Sequence, residues 1–172
     1  MFLIAALNTL GASYAFYFSS VLCFSFSLPI AALRTYQALY QKKLDRSVSI
    51  SMEILVELLR IVQYLLFIAY GTRTPSESLF LAETWKGMFA GIRQLEIGPF
   101  LWDLLGFIIV FGVYNAILFA LLRPSSVQKM MDKTGIRRFE VSAVRNAVML
   151  AYKNLFLIPV SMIYLFDILN IL

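Results

Sequence analysis

Four long apolar segments are the feature that most constrains what this chain can fold into. They cover about residues 2–33, 50–71, 99–122 and 146–171. Each reaches the roughly 20 mostly apolar residues that an α-helix needs to cross the hydrocarbon core of a bilayer. Glycine or proline lies near several segment ends, where helices commonly start or stop. The pattern predicts an all-α membrane protein in which residues 1–172 form a single bundle of four transmembrane helices.

Composition favours a bilayer over water as the surroundings of this bundle. Hydrophobic residues make up 60% of the 172 residues and charged residues only 15%, with a mean hydropathy of +0.79. Soluble domains are usually nearer half apolar and a quarter charged. A water-soluble domain of this length could not hide so much apolar surface, whereas lipid can cover it.

The sequence also excludes several kinds of chemistry. It has no histidine and one cysteine, Cys23. A histidine-ligated haem, a zinc site built on histidine or paired cysteines, an iron–sulfur cluster and a Ser-His-Asp triad are therefore unavailable within this chain. Phosphate-binding loops, nucleophile elbows and zinc-protease motifs are absent from the sequence. We expect no catalytic residue, no metal and no cofactor apart from bound lipids.

The connections between the segments carry unequal charge. The first, residues 34–49, has four basic residues and one acidic residue, and the third, residues 123–145, has six and two. The second, residues 72–98, has three of each. The positive-inside rule predicts that the first and third connections face the cytoplasm or its equivalent. Both termini would then lie on the outer side of a bacterial or organellar inner membrane.

The second connection contains the pattern of a short amphipathic helix. TPSE at residues 74–77 is a capping box with proline at the first helical position. Apolar residues then recur at helical spacing: Leu81, Trp85, Met88, Phe89 and Ile92. We expect this helix to lie on the outer membrane interface, where it either covers the bundle or provides a lid or docking surface.

A polar stripe runs along the second apolar segment. Glu53, Glu57, Arg60 and Tyr64 follow one another at steps of four, three and four, so they share one helix face. Charged side chains are costly in hydrocarbon and normally face protein or a water-filled cavity. The stripe should therefore point into the bundle or towards another protein.

Polar residues of other segments reach a similar depth: Asn115, Lys153 and Asn154. We expect a buried, hydrogen-bonded network with Glu57 between Arg60 and Lys153. Its simplest role is to fix the register of the helices, because buried ion pairs add little net stability but can specify an arrangement. The alternative is a proton or ion path through the glutamates. The neighbouring cations argue against that path, because they would keep the glutamates ionised.

Two other features suggest packing or binding. Small residues recur every fourth position of the first segment and would let another helix or a flat apolar ligand approach closely: Gly11, Ala15, Ser19, Cys23 and Ser27. Asp103 and Asp167 form an outer acidic pair that either reaches the headgroups or binds a cation.

Pro159 should kink the fourth segment, which a bilayer tolerates only if a neighbour satisfies the freed carbonyl.

Three classes of function stay open. The favoured hypothesis is a non-catalytic, multi-pass subunit or assembly factor of a larger membrane complex, including an energy-transducing one. The second is a small transporter or channel subunit that uses the Glu/Arg/Lys network. The third is an intramembrane lipid-modifying enzyme built on Asp103 and Asp167. The expected partners are membrane lipids and other integral-membrane subunits, and not nucleic acid, because the basic residues follow the membrane topology.

Overall fold

The computed structural model describes residues 2–172, apart from the side chains of Ser76, Met88 and Phe89. Its secondary structure over that range is entirely helical. In chain order the elements are α1 (Phe2–Ser19), α2 (Val21–Tyr40), α3 (Arg46–Gly71), a 3-10 helix (Ser76–Phe80), α4 (Ala82–Arg93), α5 (Ile97–Leu121), α6 (Pro124–Thr134), α7 (Val141–Tyr152), a π-helical turn (Lys153–Leu157) and α8 (Ile158–Ile168).

Three helices of the described chain are long and apolar enough to cross a membrane. They are α1, α5 and the continuous helix Val141–Ile168, which joins α7, the π-helical turn and α8. This confirms the all-α fold class and is consistent with an integral membrane protein. The second predicted span, about residues 50–71, lies within α3, which is not among these three.

The first apolar segment is not the single helix that the sequence predicts. The chain adopts an extended conformation at Ser20, with φ −106° and ψ 101°, and the Ser20 side chain accepts a hydrogen bond from the Cys23 amide at 3.3 Å. Serine favours this capping geometry because its hydroxyl satisfies an amide that the new helix leaves unpaired. The segment therefore splits into α1 and α2, and α2 continues through Pro29 as far as Tyr40.

The long helices run in alternating directions. Phe2 packs on Trp102, with ring centroids 5.4 Å apart, and Ala6 lies against Gly106, so α1 and α5 are parallel. Helix α1 also packs along α8, while α2 packs along α7 and α3. Buried aromatic and branched residues from α1, α3, α5 and α8 fill the centre of the bundle, among them Tyr17, Phe67 and Tyr164.

The two basic connections lie at the same end of the molecule, as their charge predicts. Lys42 of the first connection forms an ion pair with Glu140 of the third, at 2.6 Å. At the opposite end, α4 of the neutral connection touches the turn after α8. A Cβ on Gly91 would lie only 2.5 Å from the carbonyl oxygen of Asn170, so glycine permits this close approach.

Two short helices differ from the sequence-based expectation. The third connection contains α6, whose buried Val127 and Met131 pack against Val144 of α7. Pro124 at its start and Gly135 after its end, with φ +71°, are the sequence signals that mark this helix. In the second connection the predicted capping box does not form: Pro75 is the N-cap of the 3-10 helix and makes no side-chain capping hydrogen bond, and α4 begins only at Ala82. The predicted apolar residues Met88 and Phe89 lie outside the described side chains.

Candidate functional site

The polar stripe of α3 meets a cation from α2 and an amide from the π-helical turn. We call these five residues the charged seam: Arg34, Glu53, Glu57, Arg60 and Asn154. Helix α3 runs antiparallel to α2, which brings Arg34 opposite Glu53 and Glu57. The seam therefore links α2, α3 and the π-helical turn.

Arginines and carboxylates alternate along the seam. Arg34 donates to Glu53 at 2.5 Å and to Glu57 at 3.1 Å. Arg60 donates to the same Glu57 oxygen at 2.8 Å and to the side-chain oxygen of Asn154 at 2.6 Å. The Asn154 amide then donates to the carbonyl of Leu150 at 2.8 Å. The two arginines and two glutamates are formally neutral together.

The predicted position of Lys153 is wrong. Glu57 lies between Arg60 and Arg34, whereas the Lys153 ammonium lies 5.2 Å from the centre of the Phe119 ring. Adjacent helical residues point about 100° apart, so Lys153 and Asn154 cannot both face α3. Arg34 was missed because the first segment was expected to end near residue 33, and its helix in fact continues to Tyr40.

Two other predicted members stay outside the charged seam. Tyr64 packs its ring against Phe67 and Phe166, with centroids 6.2 and 6.3 Å away. The Asn115 amide donates to the carbonyl of Phe111, one turn back in its own helix, at 2.8 Å. Neither residue makes the predicted contacts.

The seam is buried on its cationic side only. The side chains of Arg34 and Arg60 are 14% and 19% exposed, whereas those of Glu53 and Glu57 are 51% and 55% exposed. The expectation of a fully buried network is therefore corrected. The guanidinium groups lie inside the bundle, and the carboxylates reach its outer surface.

A second, uncharged set of hydrogen bonds lies next to the seam. The amide of the fully buried Gln63 donates to the Ser27 hydroxyl at 2.5 Å, and that hydroxyl lies 2.5 Å from the Tyr17 hydroxyl. The Tyr17 hydroxyl also lies 2.6 Å from the carbonyl oxygen of Leu155. A carbonyl can only accept, so the single phenol proton goes to Leu155 and Tyr17 accepts from Ser27.

This set satisfies the backbone group that proline leaves unpaired. Leu155 is four residues before Pro159, which has no N–H to donate to the Leu155 carbonyl. Tyr17 supplies the missing donor from another helix. The expectation that a neighbour would satisfy the freed carbonyl is confirmed. The identity of that neighbour depends on the break at Ser20, which the sequence analysis did not anticipate.

A cluster of three tyrosine hydroxyls joins α1, α5 and α7. The Tyr14 hydroxyl lies 2.5 Å from that of Tyr114, which lies 2.7 Å from that of Tyr152. The sequence analysis did not identify this cluster. Tyrosine in a membrane helix is common enough that no spacing rule could have distinguished these three.

The predicted row of small residues is not a packing face of α1. Gly11, Ala15 and Ser19 are exposed, and only Cys23 and Ser27, beyond the break, are buried. The buried face of α1 instead contains Ala6, Ser13 and Tyr17. The close helix approach that the row predicted occurs elsewhere, where a Cβ on Gly106 would lie 2.7 Å from the Cβ of Ala6.

The outer acidic pair lines one cavity. Asp103 and Asp167 share a polar cavity of about 500 Å³ with Glu96, beside the chain reversal that follows α8. Among the residues that the structure describes, no group of three or more histidine, cysteine, aspartate or glutamate side chains is arranged to hold a metal ion. The pair thus shares a water-accessible surface at the end opposite the basic connections.

An open polar groove leads to the charged seam from the basic end. It has a volume of about 320 Å³ and is lined by Arg34, Gln37, Ser49, Glu53 and Asn146, among others. The Gln37 amide donates to the carbonyl of Ser49 at 3.2 Å and so ties α2 to the start of α3. Water in this groove can solvate Glu53 from one side.

No protein-family model, curated protein or solved structure matches this chain. Its function is therefore inferred from the chemistry of the seam. Each seam carboxylate is bound by at least one guanidinium, so charge-assisted hydrogen bonds fix both carboxylates in place. Such an arrangement suits fixed polar recognition better than proton transfer.

Proposed function

We propose that the protein is a non-catalytic subunit or assembly factor of a larger membrane complex and that it meets a companion protein along the outward face of α3. One observation supports this most: the half-exposed carboxylates of Glu53 and Glu57 lie on a face whose other side chains are exposed and apolar. Those neighbours include Ile54, Leu58 and Ile61.

The depth of the seam makes lipid an unfavourable neighbour for these carboxylates. Arg145 donates to the carbonyl of Leu122 at 2.8 Å, so the end of α5 is level with Arg145. Asn154 lies nine residues further along the same helix, about 13 Å inside that level. Glu57 is joined to Asn154 through Arg60. A charged group at such a depth normally faces protein or water.

The companion should carry a hydrogen-bond donor on a membrane helix. The inner side of each carboxylate is bound by arginine, and the outer side retains lone pairs that only a donor can satisfy. Interhelical hydrogen bonds in membranes contribute roughly 0.6–2 kcal/mol each. A small bundle with α3 docked on a larger partner would satisfy both carboxylates.

This proposal includes the finer membrane arrangement. Helix α3 is a fourth span beside α1–α2, α5 and α7–α8, and α4 lies on the outer interface. The basic connections face the cytoplasm or its equivalent, and both termini face outward in a bacterial or organellar inner membrane. Support comes from the alternating helix directions and from the excess of basic residues at one end.

Co-purification in mild detergent tests the docking face. We expect a stoichiometric companion to be recovered with the wild-type chain and lost with Ile54→Trp, which places a bulky side chain beside Glu53. Ile108→Trp on α5 is the matched control, because Ile54 and Ile108 are 58% and 57% exposed. A protein that purifies alone, or that loses its companion equally in both variants, would overturn the proposal.

The polar groove favours transport as a second candidate. It gives water from the basic end a route to Glu53, as a gate or an entry vestibule would. In proteoliposomes this candidate predicts a solute or ion flux in the wild type that falls in Glu53→Gln. Impermeable wild-type vesicles would exclude it.

A further inference from the structure

A second cleft at the basic end concentrates positive charge without belonging to the charged seam. It lies between the end of α2 and the start of α7 and has a volume of about 170 Å³. Lys42, Lys43 and Arg138 line it, together with the polar side chains of Gln41 and Ser142. Three cations and neutral donors around one small cleft form a suitable environment for an anion.

The charges of the cleft do not cancel. Glu140 is the acidic residue in its lining, and it is paired with Lys42 at 2.6 Å. The Lys42 side chain lowers the pKa of Glu140 through this hydrogen bond and its charge, so the carboxylate stays ionised near neutral pH. Counting Glu140, the three cations leave a net charge of two positive units for a ligand.

Arg138 lies near two aromatic rings and forms no ion pair with any carboxylate that the structure describes. Its guanidinium carbon lies 5.9 Å from the centre of the Tyr40 ring and 5.8 Å from that of Phe139. A guanidinium over a ring keeps its N–H groups at the edge free to donate, and it matches the geometry of phosphate oxygens. The cleft thus has a guanidinium donor as well as net charge.

The cleft lies at the depth of lipid headgroups. Ser142 precedes Arg145 by three residues of α7, so it lies roughly 5 Å beyond the level where α5 ends, and Arg138 lies in the connection just before α7. The headgroup region adds about 5–8 Å to each side of the hydrocarbon core. A phospholipid whose acyl chains lie beside the bundle would bring its phosphate to this level.

We propose that this cleft binds the phosphate of an anionic membrane phospholipid through Lys43 and Arg138, with Lys42 shared between the lipid and Glu140. The site is independent of the docking face on α3 and requires only that the chain lies in a membrane. The proposal gives a specific ligand class to residues whose positive charge otherwise predicts only the orientation of the chain in the membrane.

Lipid titration of the full chain tests the site. The purified protein is titrated in detergent with phosphatidylglycerol, and with phosphatidylcholine of the same acyl chains, while native mass spectrometry counts bound lipid. We expect tighter binding of the anionic lipid, weakened on the order of tenfold by Lys43→Gln with Arg138→Gln. Glu140→Gln should strengthen binding by about fivefold, because it removes the competing carboxylate.

A charge-matched control distinguishes a specific lipid site from general electrostatic attraction to anionic lipid. Lys129→Gln with Lys133→Gln removes two cations from α6 at the same end, outside this cleft. We expect that control to bind like the wild type. Equal weakening by both double variants, equal affinity for the two lipids, or displacement of the lipid by millimolar inorganic phosphate would overturn the proposal. The gain in Glu140→Gln keeps the test decisive even if Arg138→Gln misfolds.

Discussion

Tyr17 donates its phenol proton to the carbonyl oxygen of Leu155 across 2.6 Å, from α1 to the π-helical turn. The bond replaces the one that Pro159 cannot make. It also explains why a fully buried tyrosine is placed beside a distorted turn of a membrane helix.

Tyr17→Phe should therefore destabilise the bundle through an unpaired carbonyl. Leaving a buried acceptor without a donor costs about 1–3 kcal/mol. We expect a loss of that size in the free energy of unfolding in detergent, and little change for Tyr36→Phe on the exposed side of α2.

A double-mutant cycle tests the cause of this loss. Pro159→Ala restores an amide four residues after Leu155, so the cost of Tyr17→Phe should be smaller in that background. The same cost with and without Pro159 would show that the freed carbonyl is not the reason.

The contact between α1 and α5 predicts a steric effect at Gly106. A methyl group there would lie 2.7 Å from the Cβ of Ala6, so Gly106→Ala should destabilise the protein by about 1–3 kcal/mol. Ala6→Gly should recover part of the loss. Gly112→Ala on the same helix is the control, since its Cβ meets no described atom within 4 Å. Equal effects at both glycines would contradict the contact.

The charged seam predicts unequal effects of two cations. Arg34→Gln leaves Glu53 and Glu57 without a shared partner and should cost about 1–3 kcal/mol, less than the 3–5 kcal/mol of a fully buried pair. Lys153→Gln removes only the contact with Phe119 and should cost below about 1 kcal/mol. The free energy of unfolding of both variants is measured by denaturation in the same detergent. A larger loss for Lys153→Gln than for Arg34→Gln would contradict the finding that Arg34, and not Lys153, is the partner of Glu57.

The proposed orientation predicts a labelling pattern. Cys23 is 1% exposed, and Cys23→Ala provides a cysteine-free background for single cysteines. In intact cells, a membrane-impermeant maleimide should label Glu83→Cys in the second connection. It should label Lys43→Cys and Lys133→Cys only after the membrane is opened. The opposite pattern would place the basic end outside.

The sequence was sufficient for features that depend on local spacing. Glu57 and Arg60 are three residues apart and form the predicted pair on one face of α3. The two basic connections lie at the same end, where Lys42 of the first pairs with Glu140 of the third. Apolar length alone predicted an all-helical chain with membrane-spanning helices, since helix is the structure that satisfies its own backbone in lipid.

The sequence could not predict the features that depend on where a helix bends. In the sequence, Ser20 looks like any other small residue in an apolar segment. Its extended backbone interrupts the helix, so Gly11 and Ser27 do not share one helix face. The same break lets Tyr17 reach both Ser27 and Leu155. The partner of Glu57 was missed for a related reason, since Arg34 belongs to a helix and not to a loop.

Site-specific photocrosslinking in native membranes tests the central claim most directly. A photoreactive amino acid is placed at Leu58 on the outward face of α3, beside Glu57, and at Ile117 on α5, whose exposed fraction is similar. We predict a discrete protein adduct from position 58, absent from position 117, in which the crosslinked peptide is a membrane helix bearing a lysine, arginine, asparagine, glutamine or tryptophan. Adducts with lipid alone from position 58 would contradict a companion protein on α3.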